Sequence, residues 1–212
     1  MADVRGDPGY QYSDASQNAA HAYLLPVVLS LIDASLPKGR DQRIFEVGCG
    51  NGAVANVLTQ QGFQVTGVDP SEEGIRQAAQ AYPGIQLSIG STDEDLGAAH
   101  GVFPLVLSLE VVEHVYAPRR YASCLFDLLE PGGTAIISTP YHGYFKNLVL
   151  AVTGKLDAHF TALWDHGHIK FWSKRTLALL LREAGFEAIK FHLVGRIPPL
   201  AKSMIAVARK PG

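Results

Sequence analysis

Short apolar runs of β-forming residues alternate with helical segments along most of the chain, and this alternation restricts the fold more than any other feature. Such an order predicts parallel strands joined by crossover helices on both faces of one sheet. We therefore predict an α/β fold, doubly wound and Rossmann-like, with a mostly parallel sheet of seven strands. The predicted strands are residues 43–47, 64–68, 85–89, 104–109, 134–138, 187–194 and 203–209. The predicted helices between them are residues 52–61, 71–81, 93–99 and 118–129, with a further helix from Ser173.

Three regions depart from this alternation. Residues 23–36 have the pattern of an amphipathic helix that ends at the helix-breaking residues 37–39, so we interpret residues 1–40 as an N-terminal helical cap. Residues 41–212 then form the main domain, whose last two strands are separated by a proline-containing turn and predict an antiparallel hairpin. The aromatic segment at about 141–170 fits neither pattern, and we interpret it as a lid insertion.

Composition argues against several classes of protein. The formal net charge of −2 gives no overall attraction to nucleic acid, so no nucleic-acid partner is expected. The two cysteines cannot build a disulfide framework or a zinc cluster, and the N-terminus lacks an apolar signal segment. No apolar run approaches the roughly 18 residues that span a bilayer. We therefore expect a cytoplasmic protein, for which the sequence indicates no particular oligomeric state.

A glycine-rich loop follows the first strand. In E-V-G-C-G-N-G, the glycines at 48, 50 and 52 allow a tight turn beside a helix N-terminus, where a ligand can approach backbone N–H groups. The second strand ends in V-T-G-V-D-P-S, which places Asp69 where its carboxylate can accept both hydroxyls of a ribose. The spacing G-x-G-x-G differs from the G-x-G-x-x-G of dinucleotide-binding enzymes, so a nicotinamide-dependent oxidoreductase is the less favoured alternative.

Four segments together resemble a known family. E-V-G-C-G-N-G, V-T-G-V-D-P-S, L-E-V-V-E-H-V and L-L-E-P-G-G-T-A-I-I-S-T-P are similar, in order and spacing, to signature segments of class I S-adenosylmethionine-dependent methyltransferases. The resemblance covers about residues 43–209 and implies S-adenosylmethionine as cofactor, with the glycine loop at its methionine part and Leu109 near its sulfonium. The cofactor-binding residues that it implies are Glu46, Gly48, Cys49, Gly50, Asp69, Pro70, Ser91, Thr92 and Leu109.

Two carboxylates and an imidazole follow the fourth strand. In E-x-x-E-H, helical spacing would put Glu110, Glu113 and His114 on one helical face. Such a set suits Mg²⁺ or Mn²⁺, or Zn²⁺ with fewer oxygen ligands. The segment W-D-H-G-H-I-K-F-W offers His166 or His168 as a fourth ligand. The alternative is that these side chains cap and pack locally without a metal, in which case His114, His142 or His166 would serve as the general base.

Within the superfamily, the acidic cluster resembles two metal-using groups. These are the ubiquinone-biosynthesis O-methyltransferases, with an S-T-P-like strand end and a later His before K-F, and the small-RNA 3′-terminal ribose O-methyltransferases. The resemblance to the first group implies His166 as the fourth ligand and the resemblance to the second implies His168, which we favour. We predict O-methylation of a small hydroxylated acceptor, aromatic or apolar, with terminal ribose methylation of RNA as an alternative. A catalytically silent cofactor-binding module is a third hypothesis.

The apolar sequence of the lid predicts an acceptor pocket or peripheral contact with a membrane. The simpler interpretation is that the helix of the lid only covers the edge of the sheet.

Overall fold

A computed structural model describes residue 15 and residues 20–39, 41–165 and 167–212. The sheet consists of Arg43–Val47 (β1), Gln64–Asp69 (β2), Gln86–Ile89 (β3), Phe103–Leu109 (β4), Leu129–Pro140 (β5), Glu187–Val194 (β6) and Ser203–Arg209 (β7). The helices are His21–Ser35 (α1), Ala53–Gln60 (α2), Glu72–Ala81 (α3), Leu96–His100 (α4), Pro118–Asp127 (α5), Tyr144–Val152 (α6), Leu156–Phe160 (α7) and Lys174–Glu183 (α8). A 3₁₀ turn covers Pro198–Leu200.

The seven strands form one sheet in the order β3-β2-β1-β4-β5-β7-β6. The pairs from β3 to β5 are parallel, whereas β7 is antiparallel to both β5 and β6. The predicted fold class is therefore confirmed, including the C-terminal antiparallel hairpin. The strand order reverses between β1 and β4, and ligands of such sheets bind beyond the carboxyl ends of the strands at this point.

Each face of the sheet carries its own apolar core. All seven residues of β4 are buried, because helices cover the central strands on both sides. One core joins α5 and α8 to the sheet, and the other joins α1 and α2 to it. Leu24, Val28 and Ile32 of α1 are fully buried against the second face. The predicted N-terminal cap thus packs directly on the sheet in its described part, while its division from the main domain stays a prediction.

Two element boundaries differ from those predicted by more than two residues. The fifth strand, predicted at 134–138, already begins at Leu129, where the helix predicted at 118–129 was expected to end. The reason is that the C-terminus pairs with the extra residues: the N–H of Lys210 donates to the carbonyl of Gly133 at 2.9 Å. The helix predicted at 93–99 begins only at Leu96, because the side chain of Asp95 accepts the N–H of Ala98 and caps it there.

The predicted lid lies between β5 and α8 and contains α6 and α7. Although its sequence is apolar, α6 has no buried residue. Within the described residues, no helix is long and apolar enough to cross a membrane.

Candidate active site

The loop after β1 presents its backbone rather than side chains. Gly48, Gly50 and Gly52 have φ angles of 80°, 52° and 76°, in the left-handed region that favours glycine. A Cβ atom on Gly48 would lie 2.3 Å from Cγ2 of Val111. The N–H of Gly48 donates to the carbonyl of Val68 at 2.8 Å, which joins the loop to the end of β2. The glycine loop is therefore closely packed and leaves no room for a side chain at Gly48.

Asp69, at the end of β2, connects the glycine loop to the next turn. Its side chain is 7% exposed, and its two oxygens accept the N–H groups of Gly50 at 2.9 Å and Ser71 at 2.8 Å. The cap of α3 is Ser71, which accepts the N–H of Gly74, so Asp69 is not the helix cap itself. A carboxylate oxygen can accept more than one hydrogen bond, so Asp69 can still accept one from a ligand hydroxyl.

Glu46, in β1 just before the same loop, is a buried carboxyl group. Its side chain is 2% exposed, and Oε2 has no hydrogen-bond partner among the described residues. Burial, and then the charge of Asp69, raises the pKa of Glu46 to about 8. Two buried carboxylates of this kind favour a cationic ligand, which would stabilise both ionised forms. S-adenosylmethionine carries an ammonium group and a sulfonium, so the residues present fit the cofactor.

The remaining predicted cofactor residues lie at the same edge of the sheet. Ser91 and Thr92 follow β3 in a turn that is joined to β2, since the N–H of Gly90 donates to the carbonyl of Asp69 at 3.2 Å. Leu109 is the buried last residue of β4, and Pro70 is exposed directly after β2. The structure therefore brings the predicted set together, while each residue's part in binding stays a prediction.

Glu110 immediately follows β4 in a strained conformation. Its φ of 55° lies in the left-handed region, which is uncommon for residues other than glycine and concentrates at functional sites. Its carboxylate accepts hydrogen bonds from the hydroxyls of Ser138 at 2.8 Å and Ser203 at 3.4 Å. The hydroxyl of Tyr23 in turn lies 3.1 Å from that of Ser203. Burial raises the pKa of Glu110 to about 7 despite the two serine hydroxyls, which lower it.

The expectation that the acidic cluster lies on one helical face is wrong. Residues 110–115 form a turn, and α5 begins only at Pro118. The left-handed conformation of Glu110 is incompatible with a helix starting there. The carbonyl of Glu113 accepts hydrogen bonds from outside the turn, namely from the N–H groups of Ile169 and Lys170, both at 2.9 Å.

Glu113, His114 and His168 form a group whose potential metal-ligand atoms all lie within 4.8 Å of one another. The rings of His114 and His168 are 4.9 Å apart and nearly perpendicular. Glu113 is 1% exposed, and neither of its carboxylate oxygens has a hydrogen-bond partner among the described residues. Burial, and then the charge of Glu110, raises the pKa of Glu113 well above its ordinary value.

This group fits a divalent metal ion. One carboxylate and two imidazoles are ordinary ligands for Zn²⁺ and related ions, and an ion would satisfy the orphaned oxygens of Glu113. Burial and the neighbouring histidines lower the pKa of His168 to about 4, which keeps the ring neutral as metal binding requires. Glu110, which was also predicted as a metal ligand, is not in this group. Its carboxylate instead accepts hydrogen bonds from the hydroxyls of Ser138 and Ser203. Of the two alternative histidines, His168 lies in the group and His166 falls outside the described residues.

Hydrogen bonds at the end of the lid hold His168 in place. Besides the two backbone hydrogen bonds to Glu113, the indole N–H of Trp172 donates to the carbonyl of Val112 at 3.1 Å. Three hydrogen bonds thus attach residues 169–172 to the turn after β4. The position of His168 follows from this attachment, which joins parts of the chain that are far apart in sequence.

A second group of polar atoms without hydrogen-bond partners among the described residues lies within the lid. His142 is 8% exposed, and its Nδ1 has no hydrogen-bond partner among the described residues. The same holds for Nε2 of His159 and Oδ1 of Asn147. The ring of His142 lies 5.4 Å from that of His159 and 5.0 Å from that of Phe171. Burial, and then the charge of Lys146, lowers the pKa of His142 to about 4.

Sequence reasoning missed Ser138, Ser203, Tyr23 and His159. Ser138 could have been found, because it ends the fifth predicted strand and the carboxyl ends of parallel strands meet at one edge. Tyr23 and Ser203 carry no such signal, since their meeting depends on how α1 packs against β7.

The sequence of this chain matches a known protein family. A family model described as a methyltransferase domain matches residues 20–190. The ubiquinone biosynthesis O-methyltransferase of Burkholderia pseudomallei strain 1710b is 30% identical over 186 residues, which cover 84% of this chain and 78% of that protein. The protein of that name from Caulobacter sp. strain K31 is 36% identical over 126 residues, 58% of this chain. Its match covers 48% of the Caulobacter protein, so the chain spans about half the length of that relative.

Solved structures share the fold at low sequence identity. A methyltransferase from Archaeoglobus fulgidus, described as SAM-dependent, has a TM-score of 0.65 at 16% identity, covering 88% of this chain and 93% of that one. An S-adenosylmethionine-dependent methyltransferase from Mesorhizobium loti has a TM-score of 0.64 at 20% identity, covering 85% of this chain and 96% of that one. These likenesses support the fold seen here.

Proposed function

This chain belongs to the class I S-adenosylmethionine-dependent methyltransferases, and from that premise we propose that it methylates a hydroxyl oxygen of a small aromatic acceptor with the help of a divalent metal ion. The observation that carries the proposal is the group formed by Glu113, His114 and His168. It lies on the turn that packs against the cofactor loop, since Val111 of this turn fills the space where Gly48 lacks a side chain. Methyl donor and metal-held acceptor would therefore be neighbours.

One set of residues would bind the methyl donor, and another would bind the metal ion. The glycine loop, Glu46 and Asp69 would hold the methyl donor, and Glu113, His114 and His168 would hold the metal. When bound, the metal would lower the pKa of the acceptor hydroxyl and so favour the oxyanion at neutral pH. The oxyanion attacks the sulfonium methyl in line, so that the new O–C bond forms as the S–C bond breaks. Orientation of the two reactants supplies much of the remaining acceleration.

The lid histidine supports metal assistance over general-base catalysis by that residue. With its pKa lowered to about 4, His142 is neutral at pH 7 but a weak base. An acceptor hydroxyl with a much higher pKa would rarely lose its proton to it. A metal needs no strong base, because it stabilises the oxyanion directly.

A catechol is the acceptor that agrees best with the proposed metal ligands and with the names of the similar proteins. The similar proteins named above are called ubiquinone biosynthesis O-methyltransferases, and we infer from this that the acceptor here is a hydroxylated ring. An ion held by Glu113, His114 and His168 would keep coordination open to the acceptor, and a catechol would offer it two adjacent oxygens. The rings of Phe160 and Phe171, 4.8 Å apart, offer an apolar wall beside His142.

The test is methyl transfer to catechol in the presence and absence of a chelator. We expect EDTA to abolish transfer and added Mn²⁺ or Zn²⁺ to restore it. Glu113→Gln should lose the metal-dependent activity but still bind S-adenosylhomocysteine, whereas Glu187→Gln, at the exposed start of β6, should behave as wild type. Full activity after chelation would refute metal assistance, and the absence of any methylated catechol would refute the acceptor class.

The exposed lid supports one subsidiary proposal, that the protein makes peripheral contact with a membrane when its acceptor carries an apolar tail. Along α6, Tyr144 is 85% exposed, Leu148 59% and Val152 79%. Aromatic and aliphatic side chains of this kind bind at the interface of a bilayer. Leu148→Glu should reduce co-sedimentation with anionic vesicles, and Leu179→Glu on α8, which is also exposed, should not. Equal loss in both variants, or no sedimentation of the wild type, would contradict this proposal.

A further inference from the structure

We propose that Tyr23, on the N-terminal helix α1, is a positioning residue of the active site, which orients the carboxylate of Glu110 through the hydroxyl of Ser203. The three side chains come from α1, the turn after β4 and the start of β7, so the inference gives the N-terminal helix a part in the site. It rests on the proposed function in one respect, namely that methyl transfer takes place beside Glu110.

The ring of Tyr23 packs against the turn between β6 and β7. A Cβ atom on Gly195 of this turn would lie 3.1 Å from Cδ2 of Tyr23, so the ring is in close contact with the backbone there. The ammonium group of Lys202 lies 5.0 Å from the centre of the ring, within the range of a cation–π interaction. Helix α1 itself is fixed on the sheet, because Leu24 and Val28 are fully buried. The position of the Tyr23 hydroxyl is therefore determined by the packing of α1 on the last two strands.

A hydrogen-bond relay runs from this hydroxyl through Ser203 to Glu110. Ser203 is buried, and its backbone is fixed by pairing with Pro140 and Val194 on the two neighbouring strands. The hydroxyl oxygens of Tyr23 and Ser203 are 3.1 Å apart, and Ser203 donates to Oε2 of Glu110 at 3.4 Å. Because a serine hydroxyl has one proton, which here is directed to the carboxylate, Tyr23 is the donor in the first bond. Both hydrogen bonds of the relay are therefore donated toward Glu110.

The relay acts on one of the two oxygens of the Glu110 carboxylate. Oε1 accepts a hydrogen bond from Ser138 at 2.8 Å, and Oε2 accepts the one from Ser203. Without the Tyr23 hydroxyl, the bond from Ser203 would weaken, since hydrogen bonds in a series polarise one another. Glu110 begins the turn that packs on the cofactor loop. A small displacement of its carboxylate should therefore slow methyl transfer, because the rate depends steeply on how the reactants are oriented.

The ¹³C signal of the Glu110 carboxyl group tests the relay independently of turnover. Protein labelled with ¹³C at the side-chain carboxyl carbon of glutamate is observed by NMR at fixed pH with S-adenosylhomocysteine bound, and Glu110→Gln identifies the signal by its loss. We expect Tyr23→Phe, which removes only the hydroxyl, to shift this signal. Ser203→Ala should also shift it, and adding Tyr23→Phe to Ser203→Ala should cause no further shift. Tyr82→Phe is the matched control and should leave the signal unchanged, because its hydroxyl is also hydrogen-bonded, but to the backbone carbonyl of Ala15 at 2.7 Å.

Steady-state kinetics with catechol measures the effect of the relay on the reaction. Loss of one neutral hydrogen bond in Tyr23→Phe should lower kcat by about two- to tenfold. The KM for S-adenosylmethionine and the Kd for S-adenosylhomocysteine should keep their wild-type values, because the relay ends at Glu110. Adding Tyr23→Phe to Ser203→Ala should lower kcat no further, and Tyr82→Phe should keep the wild-type kcat.

The outcomes separate this inference from the proposed function. An unchanged carboxyl signal in Tyr23→Phe, or additive shifts in the double variant, would overturn the relay. Methylation of catechol with a wild-type kcat in Tyr23→Phe would overturn the positioning role and leave the proposed function standing. A carboxyl signal that shifts as expected, in a protein that does not methylate catechol, would support the relay and refute catechol O-methylation.

Discussion

The hydroxyl of Ser138 donates a hydrogen bond of 2.8 Å to Oε1 of Glu110, while the backbone N–H of Glu110 donates to the same hydroxyl oxygen at 3.0 Å. This reciprocal pair joins the ends of β4 and β5. It holds Glu110 in its left-handed conformation at the start of the turn that carries Glu113 and His114. The ends of the two strands thereby position the turn that bears two of the proposed metal ligands.

Ser138→Ala should therefore impair catalysis more than cofactor binding. A hydrogen bond to a charged group contributes about 1.5–3 kcal/mol, and about 1.4 kcal/mol corresponds to a tenfold change in rate. We expect kcat/KM to fall by about tenfold or more, with an unchanged Kd for S-adenosylhomocysteine. Steady-state kinetics and calorimetry measure the two quantities. Ser35→Ala is the control, since that hydroxyl donates to a helix carbonyl far from the site; equal losses in both variants would contradict the role of Ser138.

Gly48→Ala should abolish cofactor binding. The added methyl group would lie 2.3 Å from Val111, and the φ of 80° adds the cost of a left-handed alanine, about 1–2 kcal/mol. Gly62→Ala is a matched control, because its φ of 95° carries a similar backbone cost but nothing lies within 4 Å of the added atom. We expect a Kd for S-adenosylhomocysteine at least about 100-fold higher in the first variant only, where each factor of ten is about 1.4 kcal/mol. Similar affinities in the two variants would show that Gly48 is not part of the binding surface.

Glu46→Gln should stabilise the ligand-free protein at neutral and mildly alkaline pH. The pKa of Glu46 is about 8 in the folded state against 4.5 for an unperturbed glutamate, so between these values the folded state keeps a proton that the unfolded state has lost. The free energy of unfolding of the wild type therefore falls as pH rises from 4.5 to about 8, by on the order of 1.4 kcal/mol for each pKa unit. The raised pKa of Asp69 acts in the same direction.

Urea unfolding at several pH values measures this dependence. The variant should show a shallower fall than the wild type and be the more stable of the two near pH 8, while binding S-adenosylhomocysteine more weakly. Parallel pH profiles in the two proteins would contradict an uncompensated carboxyl group at Glu46. Glu187→Gln, at an exposed position, should follow the wild-type profile.

His168→Ala should weaken metal binding without disturbing the cofactor. Loss of one of three protein ligands should reduce metal affinity by more than the roughly 10–100-fold typical of changes next to a ligand. Competition with a colorimetric zinc chelator measures the affinity. His192→Ala, on β6, is the control and should bind as wild type. A wild-type affinity in His168→Ala would remove this residue from the proposed metal site.

The sequence was sufficient for those parts of the structure that depend on local pattern. The seven strands follow from apolar runs, and the glycine loop and Asp69 follow from spacing relative to the strand ends. The carboxyl ends of β1, β2 and β4 necessarily meet at one edge, which explains why the predicted cofactor residues lie together.

The arrangement of the acidic cluster could not be predicted in the same way. The spacing of Glu110, Glu113 and His114 is compatible with a helix, but the local conformation is decided by distant partners. Ser138 holds Glu110 in a left-handed conformation, and Ile169 bonds to the carbonyl of Glu113. Side-chain pairing across the sheet edge depends on tertiary packing, which periodicity does not encode.

The central claim is that the methyl group is transferred to oxygen. Its most direct test is to incubate the protein with catechol, Mn²⁺ and S-adenosylmethionine labelled with ¹³C in the methyl group, and to observe the product by NMR. We predict a labelled methyl carbon bonded to a phenolic oxygen, with S-adenosylhomocysteine formed in equal amount. A labelled methyl bonded to carbon, or the absence of any labelled product from a protein that binds S-adenosylhomocysteine, would contradict the account.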